Sequence, residues 1–411
     1  MTSPHLRAKL GQVIYFVFTP PSARGSDQNR FQIEQYRTTS VNNGQGTGGG
    51  SEGPHHQLVE SHKESQEFLA PALLLLYGDV ESTGFYEILS HRRCIMVVLK
   101  HLWTLPSHRA AFRAISLDKI YFISFANGLL NETNSLVGSV MDTLAEIRVT
   151  QLEMQNTAQW AALSEEDKKE RMEKHEQNEN EVRAKSDLCI ETIHMLNYLT
   201  SEEDGSLRLP FLVDEILPRF SSMLLNVVRL LVGPKGLAIK VDNMESYNFN
   251  PKNLLKEICV IMTHFDSYDV FFSSLAADGF IVDSDGKILL SKALSTVQKL
   301  HLLTPLEVNK MTDVVNKVVA ARANYKDIDA LTDDAPEHYL DPLMATIMRD
   351  PVLLPTSGNI VDRATITTQL LQTAIDPFNR KPLTIGQVVP QNDLREEIAG
   401  WLLSHGIDFT K

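Results

Sequence analysis

The sequence predicts a mainly α protein, a repeat-like series of stacked helices followed by a small, separate α+β domain. Three observations carry this. From about Gln57 to Ala330 apolar residues recur at helical spacing, and strand-like alternation is scarce until residue 350. After Asp333-Asp334-Ala335-Pro336, six prolines (Pro342, Pro351, Pro355, Pro377, Pro382 and Pro390) crowd into about fifty residues. Among those prolines, two short β-type runs flank a turn.

Residues 1–37 combine a short helical pattern (Leu6, Leu10, Ile14) with Pro20-Pro21 and polar residues, and read as a remnant of a helical core. Residues 38–56, TTSVNNGQGTGGGSEGPHH, are almost free of apolar side chains. Such a segment cannot bury enough surface to offset its chain entropy, so a flexible insertion is expected. The helical core spans 57–333. Phe85, Ile88 and Leu89, then Ile95, Met96 and Leu99, then Leu102 and Trp103 fall at helical spacing; Leu129, Leu136, Val140 and Leu144 form a second stripe.

Between Ser164 and Lys185 charges of both signs replace the apolar residues. Ser164 with Asp167 marks a helix start, and Glu/Lys neighbours support a solvated helical hairpin arm. Asn250-Pro251 and Thr304-Pro305-Leu306-Glu307 open two further helices, the second with a reciprocal Glu.

In the last stretch, 334–411, Val352-Leu353-Leu354 and Ile360-Val361-Asp362 pair across Thr356-Ser357-Gly358-Asn359 as a β-hairpin. Ala364–Gln372 reads as a short helix with Ile366 and Leu370 inward, and Ile375–Leu383 as a proline-bounded loop. Asn392 is expected to cap a final helix with Leu394, Ile398, Trp401 and Leu402 on one face.

Composition narrows the chemistry. The 39 Lys+Arg against 52 Asp+Glu give a net charge of −13, which argues against a non-specific grip on nucleic acid. No apolar run has the length of a membrane span, and the N-terminus lacks the order of a secretory signal. Three widely spaced cysteines, Cys94, Cys189 and Cys259, build neither a disulfide framework nor a zinc cluster, and a reducing compartment, cytoplasm or nucleus, is expected. Each lies on an apolar helix face, where cysteine acts as a small hydrophobe. The scattered histidines read as surface or capping groups. Gly233-Pro234-Lys235-Gly236 lacks the spacing of a phosphate loop, and no G-x-S-x-G or H-E-x-x-H occurs. No metal or cofactor is expected.

The C-terminal order is specific: Tyr339-Leu340-Asp341-Pro342-Leu343-Met344, Met348-Arg349-Asp350-Pro351-Val352, Val361-Asp362-Arg363, Asp376-Pro377-Phe378-Asn379-Arg380, Pro382-Leu383-Thr384 and Pro390-Gln391-Asn392. It resembles the U-box, the zinc-free relative of the RING domain. The D-P-F-N-R loop after L-D-P-L-M is similar to that of the ubiquitin chain-elongation (ubiquitin fusion degradation) factor family. The helical region agrees through Ser3–Leu10, Leu76–Gly84, Asn131-Glu132, Leu144–Ile147 and Tyr247, Phe249 and Pro251. Members are longer at the N-terminus, so the chain resembles the C-terminal part of one.

The resemblance implies an armadillo-like helical core followed by a U-box, and a ligase that forms no covalent ubiquitin intermediate. Its partners would be a ubiquitin-conjugating enzyme, ubiquitin and ubiquitinated substrates, with a segregase AAA ATPase and proteasome shuttle factors. Leu343, Met344, Phe378 and Pro382 match conjugating-enzyme contacts; the alternative for each is core packing, the better one for Met344 and Met348. Arg380 matches the arginine that clamps the charged conjugating enzyme; its alternative is a surface pair with Asp376, adding ~1 kcal/mol or less. Asp362, Arg363, Asp376 and Asn392 are expected to form a polar brace in place of zinc. The competing class is a non-catalytic helical scaffold with a degenerate U-box; intact Leu343, Phe378, Pro382 and Arg380 weigh against it.

Overall fold

A computed structural model describes residues 4–20, 54–79, 85–202, 205–233, 236, 241–282, 286–372 and 375–407. The chain divides into two compact units, Met1–Pro210 with Ile239–Asn250 and Phe211–Ala238 with Pro251–Lys411. The division falls within the helical region rather than at residue 334, where the sequence changes grammar.

The first unit contains α1 (Pro4–Val13), α2 (Pro54–Ser61), α3 (Lys63–Asp79), α4 (Phe85–Thr104), α5 (Pro106–Leu117), α6 (Lys119–Gln155), α7 (Thr157–Ala162) and α8 (Glu165–Thr200). In α1, Leu6 and Leu10 are exposed, and Ala8 and Gly11 are buried. This helix packs against α4, where a Cβ at Gly11 would meet Ile95 at an ordinary contact distance of 3.5 Å. Most of the Gly-rich insertion lies outside the described residues, but its last three residues already begin α2, where Pro54 needs no N–H partner.

The charged run is the first half of α8, which packs along α6. Ser164 accepts a 3.0 Å hydrogen bond from the Asp167 N–H, and Lys174 reaches Glu146 of α6 at 3.5 Å. Towards Thr200 the same helix turns apolar, burying Val182, Leu188, Ile193 and Leu196. A solvated arm thus grows continuously from a packed helix. His91 and His108 depart from the expectation of surface histidines, for both are fully buried. Burial holds the His108 pKa below its usual value, so the small neutral ring packs as core.

The second unit begins with α9 (Leu217–Val232), α10 (Pro251–Thr263), α11 (Asp269–Ala277), α12 (Leu289–Lys299) and α13 (Pro305–Ala330). Phe220, Phe265 and Phe271 form its aromatic centre, with ring centroids 5.2 Å apart (Phe220–Phe265) and 4.9 Å apart (Phe265–Phe271). The start of α13 is a closed capping box: the Thr304 N–H donates to Glu307 at 2.7 Å and the Glu307 N–H to the Thr304 hydroxyl at 3.3 Å.

The C-terminal module of this unit comprises β1 (Pro351–Leu353), β2 (Ile360–Asp362), α14 (Arg363–Gln372), β3 (Val389–Pro390) and α15 (Asn392–Ser404). The strands lie in the order β2-β1-β3, both pairings antiparallel, with Val352 opposite Val361 and Pro390. Gly358 turns the hairpin at φ +76°, donating to the Leu354 carbonyl at 2.8 Å. Val352, Val361, Ile366 and Leu383 fill one side of the module. Tyr339, Ile347, Met348, Ile398 and Leu402 fill another, together with Ile328 from α13. The end of α13 thus packs against the module that follows it. Asn392 is not a cap: α15 starts on it, and Gln391 before it makes no side-chain capping bond. The Gln391 N–H is instead spent on the Pro351 carbonyl, 2.9 Å away, so strand pairing sets the helix entry. No helix among the described residues is long and apolar enough to cross a membrane.

Candidate functional site

Two loops of the C-terminal module have one construction. In the first, the Asp341 N–H donates to the Thr346 carbonyl (2.8 Å) and the Ala345 N–H to the Asp341 carbonyl (2.7 Å). In the second, the Asp376 N–H donates to Lys381 (2.9 Å) and the Arg380 N–H to Asp376 (2.8 Å). Each aspartate turns its carboxylate back into its loop and accepts the N–H two residues on, Leu343 at 2.7 Å and Phe378 at 2.8 Å. Each loop is closed by one antiparallel bridge, Leu340 with Ile347 and Ile375 with Pro382. Each has its fifth residue in the left-handed region, Ala345 at φ 53° and Arg380 at φ 60°.

The second carboxylate oxygen of each aspartate ties its loop to the β-hairpin. Asp341 accepts the Asp362 N–H at the end of β2 (2.8 Å), while Asp376 accepts the Thr356 hydroxyl at the hairpin turn. Asp362 then accepts the N–H groups of Arg349 (2.5 Å), Asp350 (3.2 Å) and Ala364 (2.9 Å), and Arg363 pairs with Asp350 at 2.5 Å. Asn379 donates to the Thr356 carbonyl at 2.7 Å. Asp341 and Asp376 are fully buried. Buried carboxylates satisfied by several N–H and O–H donors rigidify both loops without a metal. Burial pushes the Asp376 carboxyl up, but the Thr356 hydroxyl and the Phe378 N–H outweigh it and leave the group below its ordinary value. At Asp362 burial, reinforced by the Asp341 charge, wins over three backbone N–H groups and raises the pKa.

Leu343 (38% exposed), Met344 (61%) and Phe378 (39%) stand out from these loops, and Pro382 and Arg380 are exposed beside them. Core packing is therefore the structure's account of Met348 but not of Met344. Arg380 does not pair with Asp376, whose carboxylate faces inward; a backbone hydrogen bond joins the two residues instead. Of the four brace residues named from the sequence, Asp362 and Arg363 meet Asp350 at one end of the β-hairpin, Asp376 holds Thr356 at the other, and Asn392 stands exposed at the start of α15. Sequence reasoning missed Asp341, Thr356 and Asn379. The signal for Asp341 was present: Asp-Pro followed by a large apolar residue occurs at both 341–343 and 376–378.

Among the described residues no group of His, Cys, Asp or Glu is arranged to hold a metal ion. Cys94, Cys189 and Cys259 are buried, and burial pushes the Cys189 and Cys259 thiols up to about 12, far from thiolate chemistry.

A three-stranded module presenting two aspartate-held loops, braced by side chains, defines a U-box protein. Residues 335–407 match the U-box domain, and residues 1–319 match the ubiquitin elongating factor core. The chain belongs to the ubiquitin elongating factor family. It is 33% identical over 357 residues to the probable ubiquitin conjugation factor E4 of Arabidopsis thaliana (85% of this chain, 34% of the relative). Identity to the ubiquitin conjugation factor E4 of Schizosaccharomyces pombe is 31% over 411 residues (98% and 37%). To the E4 ubiquitin-protein ligase UFD2 of Saccharomyces cerevisiae it is 32% over 352 residues (84% and 35%). The chain spans a little over a third of the length of these curated relatives.

Proposed function

We propose that this chain is a U-box ubiquitin-protein ligase. It binds a ubiquitin-charged conjugating enzyme and promotes transfer to lysine, elongating chains on tagged substrates for proteasomal degradation. The observation that carries this reading is the pair of equivalent braced loops, which hold Leu343 and Phe378 at the same loop position with Arg380 free at the edge. Leu343, Met344, Phe378 and Pro382 supply the apolar contact with the conjugating enzyme. Arg380 donates hydrogen bonds across conjugating enzyme and ubiquitin, holding the thioester in a reactive geometry. The transfer forms an amide between the ubiquitin C-terminus and a lysine amine and releases the conjugating enzyme's thiol. With all three cysteines buried, no ubiquitin thioester forms on this chain. The names of the relatives, conjugation factors and a ubiquitin-protein ligase, support the same activity. A segregase AAA ATPase and proteasome shuttle factors are its proposed further partners, and cytoplasm and nucleus its place of action.

The test is reconstitution. The purified chain with activating enzyme, a panel of conjugating enzymes, ubiquitin and ATP should accelerate thioester discharge and build ubiquitin chains with at least one panel member. No acceleration with any of them would leave the scaffold reading in its place.

A further inference from the structure

We infer that Asn379 is the positioning residue for Arg380, restraining its backbone by a bond that spans it and tying it to the β-hairpin; the functional part of this rests on the ligase reading above. The side chain of Asn379 makes two hydrogen bonds, one on each side of its amide. Its carbonyl oxygen accepts the Lys381 N–H at 2.9 Å, a bond that spans Arg380. Its NH2 group donates to the Thr356 carbonyl at 2.7 Å, in the hairpin turn. Arg380, between these anchors, has φ 60°, a conformation that a non-glycine residue adopts only when its surroundings impose it.

The protein contains its own control. The first loop repeats the backbone hydrogen bonds and the left-handed fifth residue, yet has Met344 at the position of Asn379, and Met344 is exposed. The loop therefore closes without a polar side chain there. What Asn379 adds is restraint on the residue that follows it: alanine in one loop, the clamp arginine in the other. A long side chain on a loosely held backbone samples many directions, and only a fixed one meets two partners at once without loss.

The full chain tests this with Asn379→Ala and Asn379→Ser, the serine hydroxyl keeping an acceptor for the Lys381 N–H. Asn379→Ala should slow thioester discharge about fivefold or more while affinity for the uncharged conjugating enzyme stays within about twofold. Asn379→Ser should recover part of the rate. In an Arg380→Ala background, Asn379→Ala should cost nothing further, the mark of one residue acting through another. Amide exchange at Lys381 should quicken in Asn379→Ala, with protection elsewhere in the module unchanged. Discharge at the wild-type rate, an equal loss in the Arg380→Ala background, or unchanged Lys381 exchange would each overturn the assignment. If the unmutated chain stimulates no discharge, the ligase reading falls, and Lys381 exchange alone decides whether Asn379 restrains Arg380.

Discussion

Asp341 and Asp376 do the same work in two different loops: each closes its loop through its own backbone, caps the N–H two residues on, and sends its other oxygen to the β-hairpin. One hairpin is thus held at both ends, at Asp362 and at Thr356, by the two loops that present the exposed apolar residues. Such a cross-linked arrangement helps fix the separation of Leu343 and Phe378 without a metal. Rigid presentation lowers the ordering cost of binding, which is what the proposed docking face made of two loops requires.

Removing Asp341 is expected to be costly. Asp341→Ala leaves the Leu343, Met344 and Asp362 N–H groups without their acceptor and should destabilise the module by about 2–4 kcal/mol. Asn392→Ala, at an exposed helix start, should stay within about 0.5 kcal/mol of the parent. Denaturant unfolding of both variants separates them. Equal stabilities would mean that Asp341 is not a brace residue.

That contrast marks where the sequence was legible and where it was not. Helices were readable wherever apolar spacing and capping chemistry agreed, as at Thr304 and Glu307. The hairpin was readable because Gly358 supplies a turn that other residues resist. The brace was legible only in part, since a carboxylate's role depends on which N–H groups the folded chain brings to it. Asp362 and Asp376 sit beside recognisable motifs, but Asn392 looked like a cap because nothing local reveals that Gln391 is already bonded to Pro351. Burial of His91 and His108 escaped for a related reason: contacts from other helices decide it.

The brace should have a pH signature. Because the folded Asp376 carboxyl lies below its ordinary value, its stabilisation is complete above the unfolded pKa of about 3.9 and is lost as pH falls through the folded value. Asp362, raised by burial, has the opposite sign: its contribution is full below the unfolded value and declines as pH rises through the folded one. Asp376→Asn keeps an acceptor for the Phe378 N–H but cannot ionise. Urea unfolding across the acid range should show a shallower loss of stability on acidification for Asp376→Asn than for the parent. Parallel slopes would assign the acid limb to other groups.

Metal should not matter. No cysteine follows Cys259, and the positions that brace the loops are filled by hydrogen-bonded side chains. EDTA should leave both the thermal transition and thioester discharge from a pre-charged conjugating enzyme unchanged. A drop in either that zinc restores would overturn the polar-brace account.

Phe378 tests the docking face. It is 39% exposed while its N–H is held by Asp376, so truncation removes the proposed anchor without unmaking the loop. Phe378→Ala should remain folded by circular dichroism and weaken conjugating-enzyme binding by ~2 kcal/mol in a titration. Unfolding of this variant would place Phe378 in the core instead.

The proposed clamp role of Arg380 can be separated from stability at a single position. A clamp that engages chiefly in the closed, reactive complex lowers the barrier and adds little to ground-state affinity. Arg380→Ala should therefore slow thioester discharge about tenfold or more, ~1.4 kcal/mol, with little change in binding of the uncharged enzyme. The left-handed backbone adds a second handle. At φ 60° a side chain costs about 1 kcal/mol that glycine avoids, so Arg380→Gly should discharge as slowly as Arg380→Ala yet unfold at higher denaturant. A more stable but slower variant is the result expected where strain is retained for function. If Arg380→Gly instead discharges at the parent rate, the guanidinium is not the clamp. If its stability matches that of Arg380→Ala, the left-handed backbone stores no strain, and the two loops differ at their fifth residue only in side chain.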